Sequence, residues 1–261
     1  MNNQPIGVFD SGVGGLSILL EIQKELPCET SIFVADQAYV PYGRKSKEEL
    51  IERVGKIMDF FVKKEVKAVI VACSTATVYT IDEMRKRYRM PIIGTVPVIK
   101  VIARMTRSGK TAVFSTPATA NSQYLEDLIQ KFAPNIEIKK IGGSNLEELI
   151  EEGDLNNPEI KKRLEFHLIP LLKDGVDAIA LGCTHYPFLK EKIQRIVGQK
   201  VKIVDSGGAV ARRLKEVLTN ENMLAAQKGT DLYYTTGDSG KFEKVAEELM
   251  KGKIKASHVD L

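Results

Sequence analysis

The sequence predicts an α/β fold of two pseudo-symmetric lobes, each with a mainly parallel sheet flanked by helices. Three observations predict it. Short apolar runs alternate with stretches whose apolar residues recur at helical spacing, the pattern of successive βα units. The apolar runs lack polar alternation, as strands covered on both faces require. The chain also repeats itself. VKAVIVACST (66–75) overlays VDAIALGCTH (176–185), setting Val66 on Val176, Ala68 on Ala178 and Cys73 on Cys183. IGVFDS (6–11) likewise resembles TAVFST (111–116).

In order, Ile6–Phe9 reads as a strand that runs into the glycine-rich DSGVGG, and Leu16–Glu25 as a helix. Ser31–Ala35 is a second strand. Lys47–Lys64 carries Leu50, Ile51, Val54, Ile57, Met58 and Phe61 at helical spacing. Ala68–Ala72 is a third strand, Thr77–Tyr88 a helix, and Ile92–Ile93 opens a short fourth strand. The pattern then restarts with a strand at Thr111–Phe114, a helix at Ser122–Phe132, and a strand at Ile136–Ile141. A helix at Pro158–Lys173, a strand at Ala178–Leu181, a helix at Phe188–Ile196, a strand at Val201–Val204 and a helix at Ala209–Leu218 complete it.

Ligands of such sheets bind beyond the carboxyl ends of the strands. The loops there are DSGVGG (10–15), VPYG (40–43), CSTAT (73–77), STPAT (115–119), CTHYP (183–187) and DSGG (205–208). Two facing lobes would bring Cys73 and Cys183 to opposite sides of one inter-lobe cleft, the expected active site.

Composition excludes several classes. A net charge of +4 with mixed signs and no long like-charge run gives nucleic-acid binding no support. No apolar stretch approaches the roughly 20 residues of a membrane span. MNNQPIGVF has neither the basic nor the apolar part of a signal peptide. Three cysteines in 261 residues suit a reducing cytosol better than a disulfide scaffold, so the expected location is cytoplasmic.

A thiol on each side of a small ligand suits removal of a proton from one face and its return to the other, which inverts a carbon stereocentre. The thiolate is the working base and needs tuning by its neighbours. Asp10 lies at a strand end in the first lobe, and His185 follows Cys183 by two positions. Each can assist one thiol. The hydroxyls of Ser11, Ser74, Thr75, Thr116, Thr119 and Thr184, with loop amides, can hold a carboxylate.

FDSGVGGLS, VPYG, VACSTAT, STPAT with the following NSQY, LGCTHYP and VDSGGAVA together resemble the glutamate racemase family, over most of the chain. The resemblance implies a cofactor-independent, two-thiol racemase that makes D-glutamate for peptidoglycan. It implies that Cys73 acts on the α-hydrogen of D-glutamate with support from Asp10, and Cys183 on that of L-glutamate with support from His185. Tyr42 and Gly43 join Ser11, Ser74, Thr75, Thr116, Thr119, Thr184 and His185 as substrate-lining residues, with Asp10. The family's catalytic glutamate matches Glu151, with Glu152 beside it. The family's lobes exchange chain, so residues 1–95 with 208–261 form the first lobe and 96–207 the second. Family members are commonly dimers, so a homodimer is expected, with L- or D-glutamate as the small-molecule partner and neither metal nor cofactor. This chain departs at Ser74, where the family has Asn, at GTVPVIK (94–100), and at NLEELIEEG (145–153), which lacks the family's proline.

Other readings weigh less. Gly12, Gly14 and Asp36 imitate part of a dinucleotide site, but Ser17 stands where the third glycine belongs. SGKT (108–111) lacks the earlier glycine of a phosphate loop, having Arg104 instead, and precedes its strand. Cys73, Cys183, Asp10 and His185 lack zinc-ligand spacing. Cys28, His167 and His258 read as structural. Racemisation of another amino acid such as aspartate, a non-catalytic amino-acid-binding descendant and a thiol redox protein stand as alternatives.

Overall fold

The computed structural model describes residues 2–143 and 145–261. They fall into two compact units. One comprises the residues up to Thr95 together with Gly207–Leu261, the other Val96–Ser206.

The first unit is built from β1 (Ile6–Asp10), α1 (Leu16–Glu25), β2 (Ser31–Ala35), α2 (Lys47–Lys63), β3 (Ala68–Val71), α3 (Ser74–Arg87) and β4 (Ile92–Gly94). The second runs α4 (Ile99–Met105), β5 (Lys110–Ser115), α5 (Pro117–Ala120), α6 (Gln123–Phe132), β6 (Glu137–Gly142), α7 (Leu146–Glu151), α8 (Pro158–Lys173), β7 (Ala178–Leu181), α9 (Lys190–Val197) and β8 (Lys202–Val204). The chain then rejoins the first unit as α10 (Gly207–Asn220), β9 (Leu232–Thr235), α11 (Ser239–Met250) and β10 (Ala256–His258).

In the first unit the strand order is β10-β9-β2-β1-β3-β4, with every pairing parallel. All residues of β1, β2 and β3 are buried, which is why their sequences run apolar without alternation. Helix α2 begins at a reciprocal cap. Glu49 N–H donates to Ser46 Oγ at 3.2 Å and Ser46 N–H to Glu49 Oε2 at 2.7 Å. Its Leu50, Val54, Ile57, Met58 and Phe61 are buried. Phe61 sits so close to β1 that a Cβ on Gly7 would lie 2.9 Å from its ring, so Gly7 lets helix and sheet approach.

The second unit has strand order β6-β5-β7-β8, again parallel. This repeats β2-β1-β3-β4, and the register repeats too. Ile6 pairs with Ala68 and Phe9 with Val71, while Thr111 pairs with Ala178 and Phe114 with Leu181. The overlays seen in the sequence therefore meet each other in space within each unit. Ile99, Ile102, Val113, Leu125, Ala178 and Ala180 form one cluster of this unit's core.

Several elements differ from the sequence expectation. Helix α3 starts at Ser74 and not Thr77, because Cys73 itself accepts the cap bond from Ala76 N–H, at 3.5 Å. The helix expected from Phe188 starts at Lys190, after a 3₁₀ turn over Tyr186–Leu189. Helices α4 and α7 span 7 and 6 residues, too few for a periodicity to register. Strand β9 and the edge strand β10 escape notice because LYYT is half-exposed and ASH has no apolar run.

At the amino ends of β2 and β3 a buried ion pair ties distant segments together. Lys67 Nζ lies 2.6 Å from Glu29 Oε2 and donates to the carbonyls of Asn2 (2.6 Å) and Met223 (2.8 Å). Glu29 Oε1 in turn accepts from Ala225 N–H at 2.8 Å. Removing one partner of such a pair leaves a buried charge alone. Lys67→Met should therefore lower the urea-unfolding free energy by about 3–5 kcal/mol, and adding Glu29→Gln should recover part of the loss.

Candidate active site

Each unit places a cysteine at the carboxyl end of the strand beside its first one, β3 beside β1 and β7 beside β5. The two surroundings differ chemically.

In the first unit, Asp10 ends β1 fully buried. Ser11 Oγ donates to Asp10 Oδ1 at 3.0 Å, and Gly12 N–H lies 3.4 Å from the same oxygen. The glycine-rich turn moulds this carboxylate. A Cβ on Gly15 would stand 2.6 Å from Asp10 Cβ and 3.1 Å from its Oδ2. The Cys73 thiol donates to Ser11 Oγ at 3.8 Å. A route from thiol through hydroxyl to carboxylate thus exists within one loop cluster. Cys73 is also the N-cap of α3, where the helix end favours a negative group. Ser74 and Thr75, the first helical residues, are buried. Ser74 Oγ has no hydrogen-bond partner among the described residues, a polar atom left for a ligand to satisfy.

Tyr42 lies in a 3₁₀ turn over Tyr42–Arg44 and is buried, whereas its neighbour Gly43 is exposed. The Tyr42 hydroxyl donates to Asp36 Oδ2 at 2.5 Å. Burial, with the charges of Asp36 and Cys73, holds its pKa well above the ordinary tyrosine value, so it stays protonated.

In the second unit, Gly182 N–H donates to Phe114 O at 2.7 Å and carries the β7 ladder one residue further, to the threshold of Cys183. His185 bridges two groups. Its Nδ1 is 3.6 Å from Cys183 Sγ, and its Nε2 is 2.7 Å from Glu151 Oε1. All three are buried, with Cys183 at 7%, His185 at 3% and Glu151 at 7% exposure. A carboxylate only accepts, so the Nε2 proton points at Glu151 and Nδ1 is left to exchange a proton with the thiol. Burial disfavours the imidazolium, but Cys183 and Glu151 outweigh it and raise the His185 pKa well above its ordinary value. Burial pushes the Cys183 thiol up, the nearby charge of Glu147 adds to this, and His185 pulls it back down. The arrangement matches a thiol that lends its proton to an adjacent base.

Of the two glutamates left open by the sequence, Glu151 meets His185 while Glu152 is the exposed C-cap of α7. Thr116 caps α5, accepting from Thr119 N–H at 3.3 Å, and both threonines are buried, as is Thr184. Tyr186 holds the turn after His185 in place. Its ring lies 4.6 Å from that of Phe114 and its hydroxyl donates to Gly143 O at 3.1 Å. Cys28 is exposed. His167 packs against Phe114 and Phe166, and His258 is exposed. Among the described residues, no group of three or more His, Cys, Asp and Glu is arranged to hold a metal ion.

The sequence reading missed two features. Glu147 stands one helical turn before Glu151, a spacing that puts both on one face. Arg53 interrupts the apolar stripe of α2, a signal that its charge has a buried partner. That partner is Asp36, which forms part of the dinucleotide-like pattern noted above. Its carboxylate is engaged by Arg53, Tyr42 and Thr236.

A family model described as Asp/Glu/Hydantoin racemase matches residues 14–214. The chain belongs to this racemase family. Racemases are isomerases, and this member is 41% identical over 242 residues to the glutamate racemase of Stutzerimonas stutzeri, covering 92% of both chains. The racemase's fold matches that of the glutamate racemase isoform RacE1 from Bacillus anthracis, with TM-score 0.91, 31% identity and coverage of 100% of this chain and 99% of that one. It also matches the Escherichia coli glutamate racemase solved with L-glutamate and the activator UDP-MurNAc-ala, with TM-score 0.86, 30% identity, 98% of this chain and 97% of that one.

Two outcomes follow from this geometry. A raised His185 pKa stabilises the fold fully below the ordinary imidazole value of about 6.5, and the effect fades as pH rises through the raised folded value. Glu151→Gln should therefore lose more stability at mildly acidic than at alkaline pH, as read by urea unfolding. Gly15→Ala should push Asp10 from its place and cost about 1–3 kcal/mol in the same measurement.

Proposed function

We propose that this chain is a glutamate racemase that interconverts L- and D-glutamate by a two-thiol acid/base mechanism. The observation that carries the reading is the pair of thiol sites at equivalent strand ends, each with its own proton partner: Cys73 with Ser11 and Asp10, and Cys183 with His185 and Glu151. The relatives reported above are named glutamate racemases and supply the substrate.

In the L-to-D direction, Cys183 as thiolate takes the α-proton of L-glutamate. The C–H bonding pair stays on carbon, and Cys73 returns a proton to the opposite face. The reverse direction exchanges the two roles. His185, with Glu151 holding its Nε2 proton, sets the protonation of Cys183, and Asp10 acts on Cys73 through Ser11. Ser11, Ser74, Thr75, Thr116, Thr119 and Thr184, with Tyr42 and the Gly43 backbone, hold the substrate's carboxylates and ammonium group. No cofactor is called for, since the two thiols complete the proton balance.

The product, D-glutamate, would serve peptidoglycan synthesis, and so cell-wall biogenesis and cell shape. The cysteine usage supports a cytoplasmic location, and no helix among the described residues is long and apolar enough to cross a membrane. The working form is proposed to be a homodimer.

The test is proton NMR of L-glutamate with the protein in D₂O without added cofactor, followed by chiral analysis. Loss of the α-proton signal with D-glutamate appearing is the expected result. Cys73→Ser and Cys183→Ser should each lower the rate by about 10²- to 10⁴-fold, the usual worth of a positioned acid/base. An unchanged signal from folded protein, with exchange seen instead on L-aspartate, would move the substrate to aspartate. Exchange on neither would leave an amino-acid-binding protein.

A further inference from the structure

Behind Tyr42 lies a buried charge network that the reaction scheme does not use. Arg53, 4% exposed, grips fully buried Asp36 with two bonds, Nε to Oδ2 at 2.9 Å and Nη2 to Oδ1 at 2.6 Å. Thr236 Oγ1 donates to Asp36 Oδ1 at 2.8 Å and accepts from Ala38 N–H at 3.0 Å. The Arg53 guanidinium lies 3.9 Å from the Tyr39 ring centre, and Arg53 also donates to a backbone oxygen of Leu261. The carboxylate is thus fixed from α2, from the loop after β2 and from the segment after β9.

A tyrosine hydroxyl has one proton. Here Asp36 takes it, at 2.5 Å. The oxygen then offers its other neighbours only lone pairs. The turn that carries Tyr42 packs against α3, the helix capped by Cys73.

We propose that Asp36, clamped by Arg53, is a positioning residue for the Cys73 side of the reaction: it fixes the Tyr42 ring and holds its hydroxyl proton away from the thiol. Asp36 touches neither substrate nor thiol in this role and acts through Tyr42 alone. The consequence is a Cys73 that is not held permanently as a thiolate by a tyrosine donor, and so can give a proton as well as take one. This assignment of purpose rests on the racemase reading above. Asp10 of β1 faces the thiol through Ser11, and the turn that carries Tyr42, backed by Asp36 and Arg53, packs against the helix that the thiol caps.

The test is built so that it does not depend on racemisation. With Cys28→Ser and Cys183→Ser, Cys73 is the remaining thiol, and its alkylation by iodoacetamide is followed against pH. Asp36→Asn frees the Tyr42 proton to turn toward the thiol, so alkylation near neutral pH should accelerate and the profile should move to lower pH. Asp36→Asn also leaves the charge of Arg53 uncompensated, and the same substitution in a Tyr42→Phe background reports that part alone. The expected result is an acceleration at least about threefold larger with Tyr42 present, the coupling of groups in one hydrogen-bonded network. Equal accelerations in the two backgrounds, or none, would overturn the proposal. If Asp36→Asn does not fold, Asp36→Asn combined with Arg53→Met removes the uncompensated buried charge and must show the same dependence on Tyr42. Wild-type protein that fails to exchange the α-proton of any amino acid would remove the racemase reading while leaving this coupling to be read.

Discussion

A parallel ladder delivers the carboxyl ends of all its strands to one edge of the sheet, and everything chemical in this protein hangs on that delivery. In the first unit, β1 and β3 run side by side with Phe9 opposite Val71, so Asp10, Ser11 and Cys73 emerge as neighbours although more than sixty positions separate them in the chain. In the second, Phe114 lies opposite Leu181, and the residues after β5 and β7 emerge in the same relation. A slip of one residue in either pair would turn the emerging side chains to the other face. The close packing of the side chains of the fully buried strands β1, β3 and β7 opposes the slip.

The two cysteines are equivalent in place but not in company. Cys73 caps a fourteen-residue helix and leans on a hydroxyl that leans on a carboxylate. Cys183 enters a short turn and faces an imidazole whose far nitrogen is held by Glu151. The first arrangement supplies helix amides and a charge at second hand. The second supplies a base in direct contact, at the cost of burying three ionisable groups together. A thiol can be made reactive either way, and a duplicated scaffold leaves each copy free to settle on its own solution.

The strands, the repeat and the two cysteines were legible in the sequence because each has a local signature: apolar runs without alternation, and identical residues at a constant spacing. The pairing of β1 with β3 and of β5 with β7 is seen only in the structure. Apart from α11 and the break that Arg53 makes in the stripe of α2, what escaped has no local signature. The first turn of α3 reads as a loop because Ser, Thr and Ala follow a cysteine that is not an ordinary cap. Glu151 and Glu152 could not be separated, because the choice depends on the phase of a six-residue helix. Arg53 and Thr236 could not be placed on Asp36, since one partner is on a helix and the other lies 200 positions away. The return of the chain to the first unit was legible only through family likeness, as β9 and β10 are short and half-exposed.

That return has a consequence for how the molecule is made. The second unit is one continuous stretch, so its four strands are all available once its last residue has left the ribosome. The first unit is interrupted. Until residues 232–235 arrive to pair with β2, that strand presents a bare row of amides and carbonyls, the kind of edge that recruits other chains. Vectorial synthesis therefore finishes the middle of the protein before its beginning, and the first hundred residues wait, half covered, for the last thirty.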